Sequence, residues 1–413
     1  MDILSDISTR LTPQSRRAAA DQSPNSAGGY TFTLDDAARL RRFLILGVDG
    51  GTYYTSAQDL AIDNLEVLKR MAVEAPRTLV DMIVEVSTSG AAPRQNPALF
   101  ALAYATSVPQ TREAALAALP KVARTGSHLF TFAGYTEQFR GWGRGLRRAV
   151  GSWYTSRTAD RLAYQAVKYR QREGWTHRDL LRLAHPRTDD AGLGATFDWI
   201  AHGAVGEATP SLIEGFIKAQ EATIARSWAQ IVRDYRLTWE MLPDAALARP
   251  EVWDALLDVG VPMTALMRQL PRLTRLGMLP AIGGRTREVC AQLTDADRLR
   301  KARVHPVSVL VAQRTYPGGA SHRGTAQWEP TTKVADALDA AFYAAFGAVE
   351  PSGRRTMLAV DVSGSMTMPI SGMAITAREA SAALALVQLA TEPDATAYGF
   401  SSAGGWYKPA LTP

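Results

Sequence analysis

Asp361, Ser363 and Ser365 place one carboxylate and two hydroxyls at alternate positions of "LAVDVSGSM", after a short apolar run and before a helical pattern. All three donors are oxygen. A tight loop at a strand end holds a hard octahedral cation such as Mg²⁺ while the ion keeps some of its waters. Asp and Ser are common in loops, so the spacing says little by itself; the strand-end position gives it weight. Such a site needs further oxygen ligands from other loops, and "YGFSSAGGWYKPALTP" contains no convincing one. The six histidines are scattered without ligand spacing and no nucleophile has a placed partner, so no catalytic residue is assigned.

The second constellation is electrostatic. Net charge is +6, yet between Arg140 and Arg187 twelve Arg or Lys stand against three acids, so that window carries +9 and the remainder −3. Charge concentrated in this way attracts polyanions: nucleic acid, anionic lipid or an acidic protein. Spacings of four, three, four and four residues put Arg157, Arg161, Tyr164, Lys168 and Arg172 on one arc of a helix. A ring among cations can hold phosphates and stack a base. Upstream, Arg140, Arg144, Arg147 and Arg148 would share one face, with Trp142, Leu146, Ala149 and Trp153 on the other. Downstream, "HRDLLRLAHPR" carries His177, Arg178, Arg182, His185 and Arg187 on a helix and its exit turn. Exposed helix faces are charged in any soluble protein, but they mix both signs. The scarcity of acids therefore favours a polyanion, with nucleic acid ahead of lipid. Arg268 to Arg303, nine cations against three acids, is a weaker echo.

These residues need a scaffold. The 413 residues, 46% hydrophobic, suffice for a packed core and more than one domain. One cysteine, Cys290, excludes an internal disulfide and a cysteine zinc cage. No apolar run approaches a membrane span and the polar N-terminus lacks a secretory signal, so the expectation is a cytoplasmic protein without a membrane partner. Residues 1–29 are rich in turn formers and read as a mobile arm. From Tyr30 the pattern is helical, as in "LDDAARLRRFLIL", "NPALFALAYATS" and "PEVWDALLDVG", with Pro at the front of segments and Gly at the back. Stacked antiparallel pairs of the HEAT type and an irregular helical domain both fit. "GWGRGL" reads as close helix packing rather than a dinucleotide loop, and "GVDGGTYY" as a turn between helices with Tyr53 and Tyr54 packed. After "EPSG" the register changes. "RRTMLAVDVS", "ITAREASAALALVQLA" and "ATAYGFSS" read as strand, helix and strand, the beginning of an α/β domain.

"LRRFLILGVDGGTYY", "HLFTFAGY", "WGRGLRRAVGSWY", "VKYRQREGWTHRDLLRLAHP", "KARVHPVSVLVAQRTY" and "ALDAAFYAAFGAVEPSGRRTMLAVDVSGSM" together resemble bacterial or phage members of the Ro60 (TROVE-module) family of ring-shaped RNA-binding proteins. The resemblance runs in family order from Tyr30 to Met366. It implies a mostly α fold, a HEAT-like helical-repeat toroid over residues 30–350, followed by a partial α/β von Willebrand factor A-like segment over 351–413. It implies that Y-like small RNA binds a basic outer surface, and that single-stranded 3′ ends of misfolded noncoding RNA enter a central hole. It further implies that a bound RNA can tether an exoribonuclease, polynucleotide phosphorylase. The family's Y RNA surface carries over onto Lys168, Arg170, Arg172 and His185; His185 also reads as a polar cap before Pro186. Asp361, Ser363 and Ser365 match the family's metal-ion-dependent adhesion site, for which Mg²⁺ is the expected ion. Family members add a Thr and a second Asp, neither of which has a matching motif here. The chain then reads as a fragment, as one completed by a separate polypeptide, or as one with a shortened domain. The competing function is a helical scaffold that binds a protein partner through the metal-site loop.

Overall fold

Local signals place the helices where periodicity predicts them. In the computed structural model, which describes residues 16–17, 19–24, 29–47, 57–322, 324–370, 372–401 and 406–407, α1 is Asp36–Leu46, α2 Ala57–Glu74, α3 Pro76–Ser89, α4 Asn96–Ser107, α5 Arg112–Val122 and α6 Gly126–Phe139. They are followed by α7 (Arg144–Thr155), α8 (Ala159–Lys168), α9 (His177–Ala184), α10 (Ala191–His202) and α11 (Ser211–Glu221). Pro occupies the first turn of α3 and α4, where its missing N–H costs nothing, and left-handed Gly90 and Gly203 close α3 and α10. The stretch containing Tyr53 and Tyr54 lies outside the described residues. Within the segment read as an arm, Gln22–Pro24 (β1) pairs antiparallel with Tyr30–Phe32 (β2), which is short order where none was expected.

The chain divides into two compact units, Met1–Glu214 and Gly215–Pro413. In the first, alternate helices pack side by side: α1 on α3, α3 on α5, α5 on α7 and α7 on α9 form one layer, while α4 on α6 and α8 on α10 form the other. Sequence neighbours such as α3 and α4 also pack together. Two layers of successive hairpins are the HEAT-like arrangement. Its core explains the compositions. α4 packs against α1, α3, α5 and α6 with Leu99, Ala101, Leu102, Ala103 and Ala105 fully buried, and its alanines let neighbours approach. In "GWGRGL", a Cβ at Gly145 would stand 3.2 Å from the Leu116 side chain, which bears out close helix packing.

The second unit continues with α12 (Ala225–Tyr235), α13 (Asp244–Leu247), α14 (Pro250–Val259), α15 (Met263–Arg275), α16 (Gly284–Thr294), α17 (Ala296–Lys301), α18 (Pro306–Thr315) and α19 (Thr332–Ala344). α12 packs on α14, and α19 on both α16 and α18. The α/β segment follows. β5 (Thr356–Asp361) and β6 (Ala395–Phe400) are parallel and joined by α20 (Ala377–Thr391), and β7 (Trp406–Tyr407) pairs antiparallel with β6. Glu392 at the end of α20 accepts N–H bonds from Ser352 (2.7 Å) and Gly353 (3.0 Å), tying the entry of the segment to its helix. A reciprocal capping box between Thr376 and Glu379 starts α20. Among the described residues no helix is long and apolar enough to cross a membrane.

Candidate nucleic-acid interface

α7 is the clearest amphipathic element of the basic window. Leu146, Ala149, Val150, Trp153 and Tyr154 are buried, while Arg144, Arg147 and Arg148 face solvent. Arg147 donates to the Trp142 carbonyl at 3.2 Å. The fourth expected member of this face is elsewhere. Arg140 terminates α6 and turns back to the end of α4, donating to the Thr106 carbonyl at 2.5 Å beside Arg112, which bonds the Thr106 and Ser107 carbonyls at 3.3 and 2.9 Å. Burial and then the neighbouring Arg112 lower its pKa. Arg140 is a clamp on a carbonyl left without an intrahelical partner at a helix C-terminus, where a cation is favoured.

The five-residue arc also needs correction. Thr158 caps α8 by accepting the Arg161 N–H, so the helix begins after Arg157. It ends at Lys168. Only Arg161, Tyr164 and Lys168 share it. Arg157 lies back over the Trp153 ring, its guanidinium carbon 3.6 Å from the centroid, and donates to the carbonyls of Trp153 and Ala123. Burial pushes its pKa down to about 10. Arg172 stands on a hairpin, with β3 (Gln171–Arg172) paired to β4 (Trp175–Thr176) through a turn in which Glu173 (φ 52°) and Gly174 (φ 77°) are both left-handed. "Glu-Gly" between extended residues is the tight-turn signal that helical spacing overrode. Lys168 donates to the Tyr164 hydroxyl at 2.9 Å and lies within 5.6 Å of the Tyr169 ring.

Thr176 and Asp179 form a capping box that starts α9. His177 follows directly and is 3% exposed, against Phe130 and Trp153, with its Nδ1 2.8 Å from the Tyr154 hydroxyl. Burial pushes its pKa down to about 4. A buried neutral imidazole cannot meet a phosphate, so His177 is a core residue rather than a member of the surface. Gly126 is required above it, since a Cβ there would lie 2.8 Å from His177 Nε2. Arg170, Arg172, Arg178, Arg182, His185 and Arg187 are exposed. Arg178 donates to the Ile200 carbonyl at 3.3 Å, and His185 ends α9 in the left-handed conformation at φ 45°. Arg124, which the sequence reading did not select, lines a hollow of about 560 Å³ with Arg157, Arg161, Tyr164 and Gln165. Its signal was there in principle: it immediately precedes the Thr125 cap of α6.

Among the described residues, no carboxylate pairs with Arg144, Arg148, Arg161, Arg182 or Arg187; Arg172 has only Glu173 at 3.6 Å. Unpaired guanidiniums across α7, α8 and α9 leave a net positive surface able to neutralise phosphates.

Residues 23–214 and 233–317 match the TROVE domain. The chain belongs to the Ro60 (TROVE-domain) family. Residues 355–409 match the Ro60 vWA domain. RNA-binding protein RO60 of Deinococcus radiodurans is 39% identical over 409 residues, 97% of this chain and 77% of that protein. RNA-binding protein RO60 of Caenorhabditis elegans is 30% identical over 472 residues, covering 95% of this chain and 73% of its own. The crystal structure of the D. radiodurans RO (RSR) protein superposes with a TM-score of 0.80 at 38% identity, over 91% of this chain and 76% of that one.

In this Ro60-family chain, Asp361 ends β5 and accepts the Ser363 N–H at 2.8 Å, while the Ser363 and Ser365 hydroxyl oxygens are 3.0 Å apart. The Ser363 hydroxyl and N–H hold the Asp361 carboxyl below its usual range. The loop therefore gathers one ionised carboxylate and two hydroxyls, a donor set that fits a hard cation in part. Among the described residues no cluster of three or more His, Cys, Asp or Glu could supply the rest.

Proposed function

We propose that this chain binds RNA through the exposed cations of α7, α8, the β3–β4 hairpin and α9. The observation that carries this is the set of guanidiniums on one unit without carboxylate partners, in a chain whose relatives are named RNA-binding proteins. Positive charge left unpaired costs self-repulsion in the free protein and is offset when a polyanion binds. The ligand we assign is a small structured Y-like RNA on the face of Lys168, Arg170, Arg172 and His185, together with single-stranded 3′ ends of misfolded noncoding RNA. The role is RNA quality control, with a bound RNA serving as the tether to an exoribonuclease of the polynucleotide phosphorylase type. Asp361, Ser363 and Ser365 would hold Mg²⁺, whose remaining ligands a bound partner carboxylate, a completing polypeptide or waters would supply. When bound, the ion offers a Lewis-acidic docking point; the chain's own part is to hold the carboxylate ionised and the hydroxyls together.

The test is binding of a labelled hairpin RNA with and without a single-stranded 3′ tail across a salt series. Support is binding that tightens with the tail, weakens with salt, and is lost in Lys168→Glu/Arg172→Glu while the melting transition is retained. Salt-independent binding, or full binding by the double variant, refutes it.

A further inference from the structure

Beside the cationic face lies a second hollow, of about 510 Å³, bounded by the starts of α4 and α6 and by Tyr169 and Arg172. Its chemistry is one-sided. Arg94 and Arg172 bring guanidiniums, Asn96, Ser127 and Thr131 bring amide and hydroxyl groups, and among the described residues no carboxylate lines it, Glu173 at 3.6 Å from Arg172 not being part of the lining. The acid-free lining sets it apart from the neighbouring hollow around Arg124 and Arg161, which includes Asp160. α4 has no side-chain N-cap, so the positive end of that helix adds to the two guanidiniums, whereas at the start of α6 the Gly126 and His128 N–H groups are already taken by Gln165 and Thr125.

His128 supplies an independent observation. It lines the hollow, and its buried Nδ1 has no hydrogen-bond partner among the described residues. Burial, then Arg124 and Arg172, push its pKa down to about 4, so the ring is neutral beside the cations. A buried polar atom left without a partner is destabilising, a cost that a bound donor or water would offset. The volume exceeds the roughly 300 Å³ at which small-molecule sites begin, more than a bare phosphate fills. Tyr169 adds an aromatic ring at the margin.

We propose that this hollow seats one nucleotide of a bound RNA strand, its phosphate held by Arg94, Arg172 and the uncapped start of α4, with its base against Tyr169. The proposal rests on the RNA-binding reading, with which it shares Arg172. It extends the interface to Arg94, Ser127 and His128.

The experiment follows the His128 ring resonances of the full chain, assigned with His128→Gln, during titration with adenosine, adenosine 5′-monophosphate and short oligoribonucleotides with and without a 5′-phosphate. Oligonucleotide binding is read separately by fluorescence anisotropy. The expected result is a saturable shift with the monophosphate and the oligonucleotides but not with adenosine, weakened about tenfold in Arg94→Gln and in Ser127→Asp. The latter puts a carboxylate where the phosphate would sit, at a helix start that favours it, so the fold is retained. Preference for the 5′-phosphorylated strand would assign a terminal phosphate, and equal binding an internal phosphodiester. A strand that binds by anisotropy without moving His128 overturns the seat and leaves the RNA-binding reading standing. A monophosphate that moves His128 while no strand binds overturns both.

Discussion

Arg157 and Arg161 are four residues apart and of one type, yet the structure gives them opposite work. Arg161 is exposed on α8, and Arg157 lies on the Trp153 ring with its nitrogens on the Trp153 and Ala123 carbonyls. In Arg157→Gln the cation–π contact, worth about 1–2 kcal/mol when partly desolvated, is lost. The charged hydrogen bonds add about 1.5 kcal/mol. A loss of about 2–4 kcal/mol follows, and at about 2–4 °C per kcal/mol for a unit of this size the melting temperature falls by about 5–15 °C. The RNA salt dependence stays the same. Arg161→Gln/Arg182→Gln does the reverse: exposed substitutions change stability by about 0.5 kcal/mol or less, while two lost phosphate contacts flatten the log–log salt slope by about 1.4 for a single strand. The assay pairs thermal denaturation with anisotropy on a tailed hairpin at a series of salt concentrations. If Arg157→Gln removed a full contact from the slope at unchanged melting temperature, Arg157 would be leaving its ring to bind RNA and the placement would be wrong.

His128 and His177 both have folded-state pKa values of about 4, below the ordinary 6.5, because burial disfavours their charged forms. The unfolded chain therefore binds more protons between those values, and stability present above pH 6.5 is lost as pH falls toward 4, by about 1.4 kcal/mol per pH unit for each histidine. Denaturant melts from pH 7 to pH 4 should show this slope, and His177→Gln, even if less stable throughout, should halve it; an unchanged slope would count against a buried neutral His177. Gly126→Ala should destabilise the first unit by about 1–3 kcal/mol through overpacking on His177, read as a lower denaturation midpoint, with a neutral effect contradicting the close approach. Isothermal titration with Mg²⁺ should give a binding heat that Asp361→Asn abolishes, whereas the same heat in both proteins would remove the metal from this loop.

The amino-acid sequence by itself determined the helices and their compositions. Pro at the start and Gly at the end bracket α3, and the unbroken "ALFALAYA" is buried apart from the half-buried rings of Phe100 and Tyr104 because α4 packs against several neighbouring helices. The strand–helix–strand order of the α/β segment and the Asp361–Ser363–Ser365 loop were equally legible, since a strand end, a tight loop and a capped helix are local signals. The cationic window was visible as a sum of charges, because charge is conserved whatever the fold. Only tertiary structure decided which cations face solvent. Arginine offers five donors on a long apolar stem, so the same residue can clamp the carbonyls ending α4, as Arg140 does, or stand free, as Arg144 does. His177 and His185, eight residues apart in one basic run, parted for a similar reason. A core lined by Phe130, Trp153 and Tyr154 admitted one as a neutral ring, while the left-handed end of α9 left the other in water. That partition depends on partners distant in sequence, which no spacing rule contains.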